Sequence, residues 1–178
     1  MYITLKMIQT LDGSIARNNE DKLDWGSKLD KQGFKKVRLQ NEIMILGATT
    51  FEVTPKGFLK DQKLIIVTSR VDSFKSKYPD WESKNWFFME PKTQGIIDFI
   101  ESKGITKVLL AGGGRTNNLF LAANLVDEIQ LTLSPYIFNS GITTFGSINL
   151  GKIDLELVRT ETLGESELLL VYKVKKVL

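Results

Sequence analysis

Residues 107–128, KVLLAGGGRTNNLFLAANLVDE, decide how the rest of the chain is read. Val108, Leu109 and Leu110 are consecutive and apolar with no helical period, the pattern of a strand buried on both faces. Gly112, Gly113 and Gly114 follow at once. Lacking Cβ atoms, they open backbone conformations closed to other residues and let a ligand approach their amides closely. From Arg115 the period is helical: Leu119, Phe120, Ala122 and Ala123 form an apolar face, with Asn117, Asn118 and Asn124 on the other sides. Strand, glycine turn and helix bring unpaired amide donors and the positive end of a helix dipole to one point, which suits a phosphate. Tight packing alone is the competing use of such a turn. No Lys-Ser or Lys-Thr pair follows the glycines, so this is not a P-loop. Asn117 stands where a Rossmann fingerprint has its third glycine, and no isolated strand-end acid follows about 20 residues later.

At 178 residues the chain is expected to form one domain, 1–178, large enough to bury a real core. A hydrophobic share of 42% with 25% charged residues is that of a globular protein. The apolar runs are too short to span a bilayer, and Met1 to Thr10 lacks the basic start and cleavage site of a signal peptide, so a cytoplasmic protein is expected. The net charge of +3 arises from interleaved residues and fits a small anionic ligand better than a nucleic acid. Cys and His are both absent. Disulfides, thiol catalysis, Cys/His zinc sites and imidazole triads are thereby excluded, and no metal site is expected. Proton transfer must use carboxylate, Lys, Tyr or water. Hydride transfer remains open, because a cofactor carries its difficult chemistry.

Upstream of the glycines, Tyr2 to Ile8 alternates as a strand and Thr10-Leu11-Asp12-Gly13 ends it. Arg17 to Asp24 reads as a loop. Ser27 or Asp30 caps a helix reaching about Asn41, with Phe34, Val37 and Leu39 facing inward. Glu42 to Gly47 and Leu64 to Val67 read as buried strands; Ala48 to Glu52 is a turn or short helix start. Val71 to Glu90 looks irregular, with a short strand at Trp86 to Met89. Thr93 to Lys103 has helical spacing, with Gly104 as C-cap. Downstream, Glu128 to Leu133 is a strand and Asn139 to Gly151 a polar loop. Ile153 to Thr160 and Glu167 to Val174 form an antiparallel hairpin around Leu163-Gly164-Glu165. This order predicts an α/β fold: a mainly parallel sheet with helices on both faces and an antiparallel hairpin at its edge.

Turn signals thus gather at the carboxyl ends of parallel strands, where ligands collect in open α/β sheets. The residues there resemble the dihydrofolate reductase-like superfamily, and more closely its riboflavin-biosynthesis reductases, the RibD C-terminal domain family. Thr10-Leu11-Asp12-Gly13-Ser14-Ile15-Ala16 resembles Ser-Leu-Asp-Gly-x-x-Ala, and Trp25-Gly26-Ser27 with Asp30 resembles the family's helix start. Ile45-Leu46-Gly47 with Thr50 resembles its Val-Gly-x-x-Thr turn. Gly112 to Asn117 with Leu125-Val126-Asp127-Glu128 resembles its Gly-Gly-Gly-x-Leu-Asn…Leu-Val-Asp-Glu signature, and Pro135 and Gly141 to Phe145 continue it.

The resemblance implies a three-layer α/β/α sandwich and NADPH as cofactor. Gly113, Gly114, Arg115 and Thr116 would hold the pyrophosphate, with Thr50 beside it. Ser69 and Arg70 would take the 2′-phosphate, whose oxygens match a hydroxyl and a guanidinium fork. Thr10, Trp25 and the backbone near Ile8 would flank the nicotinamide. Ser27 and Arg38 would bind substrate, Arg38 through a sugar phosphate, and Asp30 would be the catalytic acid. The bland alternatives are a turn former for Asp12, a helix N-terminal charge for Asp30, a solvated cation for Arg38 and a core aromatic for Trp25. Ala111 replaces the Glu that usually precedes the glycines and helps read substrate. Thr116 replaces a Leu, and Ala48 and Thr49 stand where dihydrofolate reductases place Arg or Lys. The implied activity is reduction of the sugar of a 5-amino-6-(5-phosphoribosylamino)uracil-like substrate. A dihydrofolate or pterin reductase, and a non-catalytic nucleotide-binding module, are the alternatives. The related reductases are commonly homodimers, so a homodimer is expected, with the apolar hairpin Ile153 to Val174 as its interface.

Overall fold

A computed structural model of the chain describes residues 1–22, 24–146 and 151–176. Among these described residues are ten strands and six helices. They are β1 (Tyr2–Thr10), β2 (Ser14–Ala16), α1 (Lys28–Leu39), β3 (Ile43–Gly47), α2 (Ala48–Val53), α3 (Lys56–Leu59), β4 (Leu64–Val67) and α4 (Val71–Lys77). There follow β5 (Trp86–Met89), α5 (Thr93–Ser102), β6 (Lys107–Leu110), α6 (Gly114–Ala122), β7 (Glu128–Ser134), β8 (Ile142–Thr143), β9 (Leu155–Leu163) and β10 (Glu167–Val174). Eight strands form one sheet in the order β5-β4-β3-β6-β1-β7-β10-β9, and β2 pairs with β8 separately. The six strands from β5 to β7 are parallel, whereas β10 runs antiparallel to β7 and β9 antiparallel to β10. None of the helices among the described residues is long and apolar enough to cross a membrane.

Alternation along the strands sorts their side chains onto two faces. Ile3, Leu5, Ile43, Ile45, Ile65, Val108, Leu110 and Ile129 meet Ile96, Ile97 and Ile100 of α5 and Phe120 and Leu121 of α6. Met44, Leu46, Leu64, Ile66, Phe88 and Leu109 meet Phe34 and Val37 of α1, Phe51 of α2, Leu59 of α3 and Phe74 of α4. These are the three expected layers. The second face changes character at β1. Thr4, Lys6 and Thr10 are buried there, as are Thr132 and Ser134 of β7, so polar side chains replace the aliphatic ones. Over that polar half stands the first turn of α1.

Several expectations need correction. Leu39 is 67% exposed, because α1 ends as it leaves the sheet. Val71 to Lys77 is a helix rather than irregular: Phe74 buries one side of it, and only Tyr78 separates it from Pro79. In α6, Ala122 and Ala123 are exposed while Asn117 and Asn118 are buried. Their side-chain amides donate to the carbonyls of Thr144 (2.7 Å) and Phe145 (2.8 Å). A loop that needs donors has overridden the apolar period. The short strands β2 and β8 lie beside and within segments expected to be loops. The C-terminal hairpin forms as expected, with Gly164 in the left-handed region at its turn.

Candidate functional site

At the carboxyl end of the sheet, α6 begins at Gly114 with Gly113 as N-cap and no side chain capping it. The first amides of a helix have no intrahelical acceptor. Among the described residues, the N–H groups of Gly113, Gly114, Arg115 and Thr116 have no other acceptor either. The turn itself is fixed, since Gly47 N–H donates to Gly112 O (2.8 Å) and Asn117 N–H to Gly113 O (3.0 Å). A Cβ at Gly113 would stand 3.2 Å from Thr50 Oγ1 and 3.7 Å from Ile15 Cδ1, and one at Gly47 would stand 2.6 Å from Thr116 Oγ1. The β3–α2 and β6–α6 turns therefore face each other over four unpaired donors. Arg115 is exposed beside them, and Ser69 and Arg70 are exposed at the end of β4. That places the last pair two strand spacings, roughly 10 Å, from β6. The Arg70 guanidinium lies 5.3 Å from the Phe74 ring centre.

Across β1 lies the second half. Ser27 caps α1: its Oγ accepts from Asp30 N–H at 3.0 Å. The same hydroxyl donates to Glu167 of β10, and Ser27 N–H donates to the other Glu167 oxygen at 3.3 Å. Asp30 is only 6% exposed, and Thr132 Oγ1 donates to its Oδ1 at 2.7 Å. Lys6, 2% exposed, belongs to the same face. Burial draws its ammonium below the ordinary lysine range; Asp30 and Glu161 oppose that shift and Arg159 adds to it. The strand register puts Thr132 level with Ile8, and Met7 packs at Gly112, so the two halves flank one stretch of β1.

The mouth between them is built by loops. Thr10 is fully buried; its hydroxyl donates to Asp12 and accepts from Ser14 N–H at 2.9 Å. Asp12 in turn accepts from Phe138 N–H (3.2 Å) and Asn139 N–H (2.8 Å), and these bonds, led by that from Thr10, hold its carboxyl below the usual range. Trp25 meets Phe138 and Tyr136 edge-on, and its buried Nε1 has no partner among the described residues. Gly26 packs over Ile8.

A profile of the RibD C-terminal domain family matches residues 1–169. The chain belongs to the RibD C-terminal domain family. The Bacillus subtilis protein YwjB, itself uncharacterized, is 23% identical over 164 residues, covering 88% of this chain and 89% of its own length. The deaminase and 5-amino-6-(5-phosphoribosylamino)uracil reductase of Thermotoga maritima is 19% identical with a TM-score of 0.78; the match covers 98% of this chain and 56% of that one. Dihydrofolate reductase from Enterococcus faecalis, solved with NADP(H), is 18% identical with a TM-score of 0.68, over 98% of this chain and 97% of that one. The fold is dihydrofolate reductase-like.

Within this member of the RibD C-terminal domain family, Thr50, Gly113, Gly114, Arg115 and Thr116 come together, with Ser69 and Arg70 on the same edge. Ser27 and Asp30 lie on the other side of β1, with Thr10 at the end of that strand and Trp25 in the mouth between the halves. Arg38 lies two turns further along α1, where its Nη1 donates to Phe58 O at 2.8 Å and its guanidinium rests 4.8 Å from the Phe58 ring centre. It is not brought to Asp30. Three residues of the site went unremarked in the sequence: Lys6, Thr132 and Glu167. Lys6 shares the polar side of its strand's alternation with Thr4, which in the sequence reads as a solvent-facing position. Thr132 and Glu167 gave no signal either.

Proposed function

We propose that the protein is an NADPH-dependent oxidoreductase that reduces the sugar of a 5-amino-6-(5-phosphoribosylamino)uracil-like substrate, as a cytoplasmic homodimer. The observation that carries this is the pairing, across β1, of four amides that have no acceptor among the described residues with a buried carboxylate and lysine. The amides fit a diphosphate, and the glycines let the turn pack closely against Thr50, Thr143 and Gly146, where a Cβ would crowd it. Ser69 and Arg70 would face a 2′-phosphate, and Trp25 and the Ile8 backbone would border the nicotinamide. When bound, NADPH supplies the hydride that goes to C1 of the opened sugar. The chain supplies position: the cleft holds the two ligands against each other, which contributes several kcal/mol without a nucleophile. Asp30, held by Thr132, delivers the proton to the sugar oxygen or imine directly or through a water, and the Lys6 ammonium offers a second donor to the substrate's oxygens. Thr10 acts from below by shaping the turn, since its hydroxyl is already engaged. Along the far edge, Leu155, Leu157 and Val158 of β9 are exposed, an apolar strip that supports the dimer.

A pterin reductase is the second reading. It is favoured by the Asp30–Thr132 pair, because a buried carboxylate steadied by a hydroxyl can grip an amino-substituted ring through paired N–H groups. NADPH oxidation measured with 5-amino-6-(5-phosphoribosylamino)uracil and with dihydrofolate separates the two. Turnover of the pyrimidine alone is expected. Turnover of dihydrofolate alone reverses the assignment, and cofactor binding without turnover of either leaves a nucleotide-binding module.

A further inference from the structure

We propose that Glu167, at the start of the edge strand pair β9–β10, is a positioning residue that sets the geometry of Asp30. This rests on the reading of Asp30 as part of the substrate half of the site. The chain of contacts is short. Glu167 is 6% exposed, and its two oxygens accept from the Ser27 amide and the Ser27 hydroxyl. A serine hydroxyl has one proton to donate and two lone pairs. With the proton directed to Glu167, a lone pair is left for Asp30 N–H, which is the capping bond of α1. Lys31 N–H also bonds to Ser27 O, at 3.1 Å. The carboxylate therefore fixes the rotamer of the cap, and the cap fixes the first turn that carries Asp30 toward Thr132. The hairpin turn supports the same place: a Cβ at Gly164 would stand 3.3 Å from Leu29 Cδ1.

The arrangement differs from ordinary capping. A Ser N-cap normally stands in solvent and orients itself. Here a carboxylate 140 residues away orients it, and that carboxylate sits on a hairpin whose outer strand is exposed along nearly its whole length. Whatever displaces β10 at Glu167 rotates Ser27 and loosens Asp30, without touching the glycine turn of α6.

The test uses the full chain with Glu167→Ala and Glu167→Gln. Amide hydrogen exchange is followed at Asp30 and Lys31, with β1 and α6 as references. Glu167→Ala is expected to speed exchange at Asp30 and Lys31 tenfold or more while β1 and α6 hold. Glu167→Gln, which keeps an acceptor for the Ser27 amide, is expected to give a smaller rise of several-fold, a partial rescue that a purely packing role would not show. NADPH affinity, read by fluorescence titration, stays within twofold of wild type in both, and kcat/KM on the accepted substrate falls with the same ranking. Unchanged exchange at Asp30 and Lys31 in both variants overturns the proposal, and so does a uniform rise that includes β1 and α6. Should Glu167→Ala not fold, Glu167→Gln decides by the same exchange readout. Absence of turnover in the wild-type protein would count against the reductase reading alone, because exchange at the cap does not depend on chemistry.

Discussion

Asp30 and Lys6 are buried on one face of the sheet, and each proposed role makes its own prediction. Asp30→Asn keeps the shape and the Thr132 contact but removes the acid. Turnover is expected to fall by about 10²-fold or more, with NADPH affinity unchanged; steady-state kinetics beside a cofactor titration checks this. Lys6 makes a prediction in pH. Its amine is held below 10.5 by burial, so between its folded value and 10.5 the unfolded chain binds more protons than the folded one, and stability rises with pH across that window. Lys6→Met, similar in length and without charge, should be more stable than wild type at neutral pH, with an advantage that shrinks as pH approaches 10.5. Tyr2 and Lys77 are shifted upward and act in the opposite sense, but both proteins share them and the difference cancels them. Denaturant titrations of the two proteins at stepped pH give the comparison. Arg70→Ala tests cofactor choice: NADPH should weaken by roughly 1.5–3 kcal/mol for a lost charge-assisted contact, and NADH hardly at all. Equal weakening of both would remove Arg70 from the 2′-phosphate.

Among the elements, the glycine turn separates fit from function most cleanly. A Cβ at Gly114 would overlap the Thr143 carbonyl oxygen and stand 3.0 Å from Gly146 N, both backbone atoms that cannot swing aside. Gly114→Ala is therefore expected to lower stability by about 1–3 kcal/mol, as overpacking does. At Gly113 the nearest atom is a rotatable hydroxyl, Thr50 Oγ1 at 3.2 Å, so Gly113→Ala should leave the melting temperature almost unmoved yet weaken the cofactor. Thermal melts with and without NADPH distinguish the pair. The turn was legible in the sequence because everything that makes it is local: an apolar run, three glycines and a helical period within a dozen residues. The strand Leu64 to Val67 was legible for the same reason. The helix Val71–Lys77 was not, since seven residues with one buried aromatic carry too little period to register. The inward Asn117 and Asn118 were not, because their reason is two carbonyls 27 residues away. Asp30 stood out beside a Trp-Gly-Ser start, but the hydroxyl and carboxylate that hold its turn come from strands whose own residues look like ordinary alternation.

For the whole molecule, the residues proposed to bind ligands lie at the carboxyl edge of the sheet, whereas two cavities of about 240 and 180 Å³ open elsewhere. The larger lies near Val126 and Val174 and the smaller near Ile43 and Ile105, at the strands' opposite ends. The proposed site therefore lies at the end where ligands collect in open α/β sheets. Its free edge predicts an assembly. With Leu157 and Val158 at 51% and 62% exposure on the outermost strand, light scattering should report twice the chain mass, and Val158→Arg should return it to one without changing the fold seen by circular dichroism. The β-α rhythm made a mainly parallel sheet legible and the alternating hairpin its antiparallel edge; the strand order, and which half-site the hairpin touches, needed three dimensions. That touch has a consequence for biosynthesis. Asp30 is held by a residue made 102 positions later, and Ser27 by one made 140 positions later. A nascent chain on the ribosome could shape its first strand and helix early, yet the substrate half would acquire its working form only as the closing strands were released.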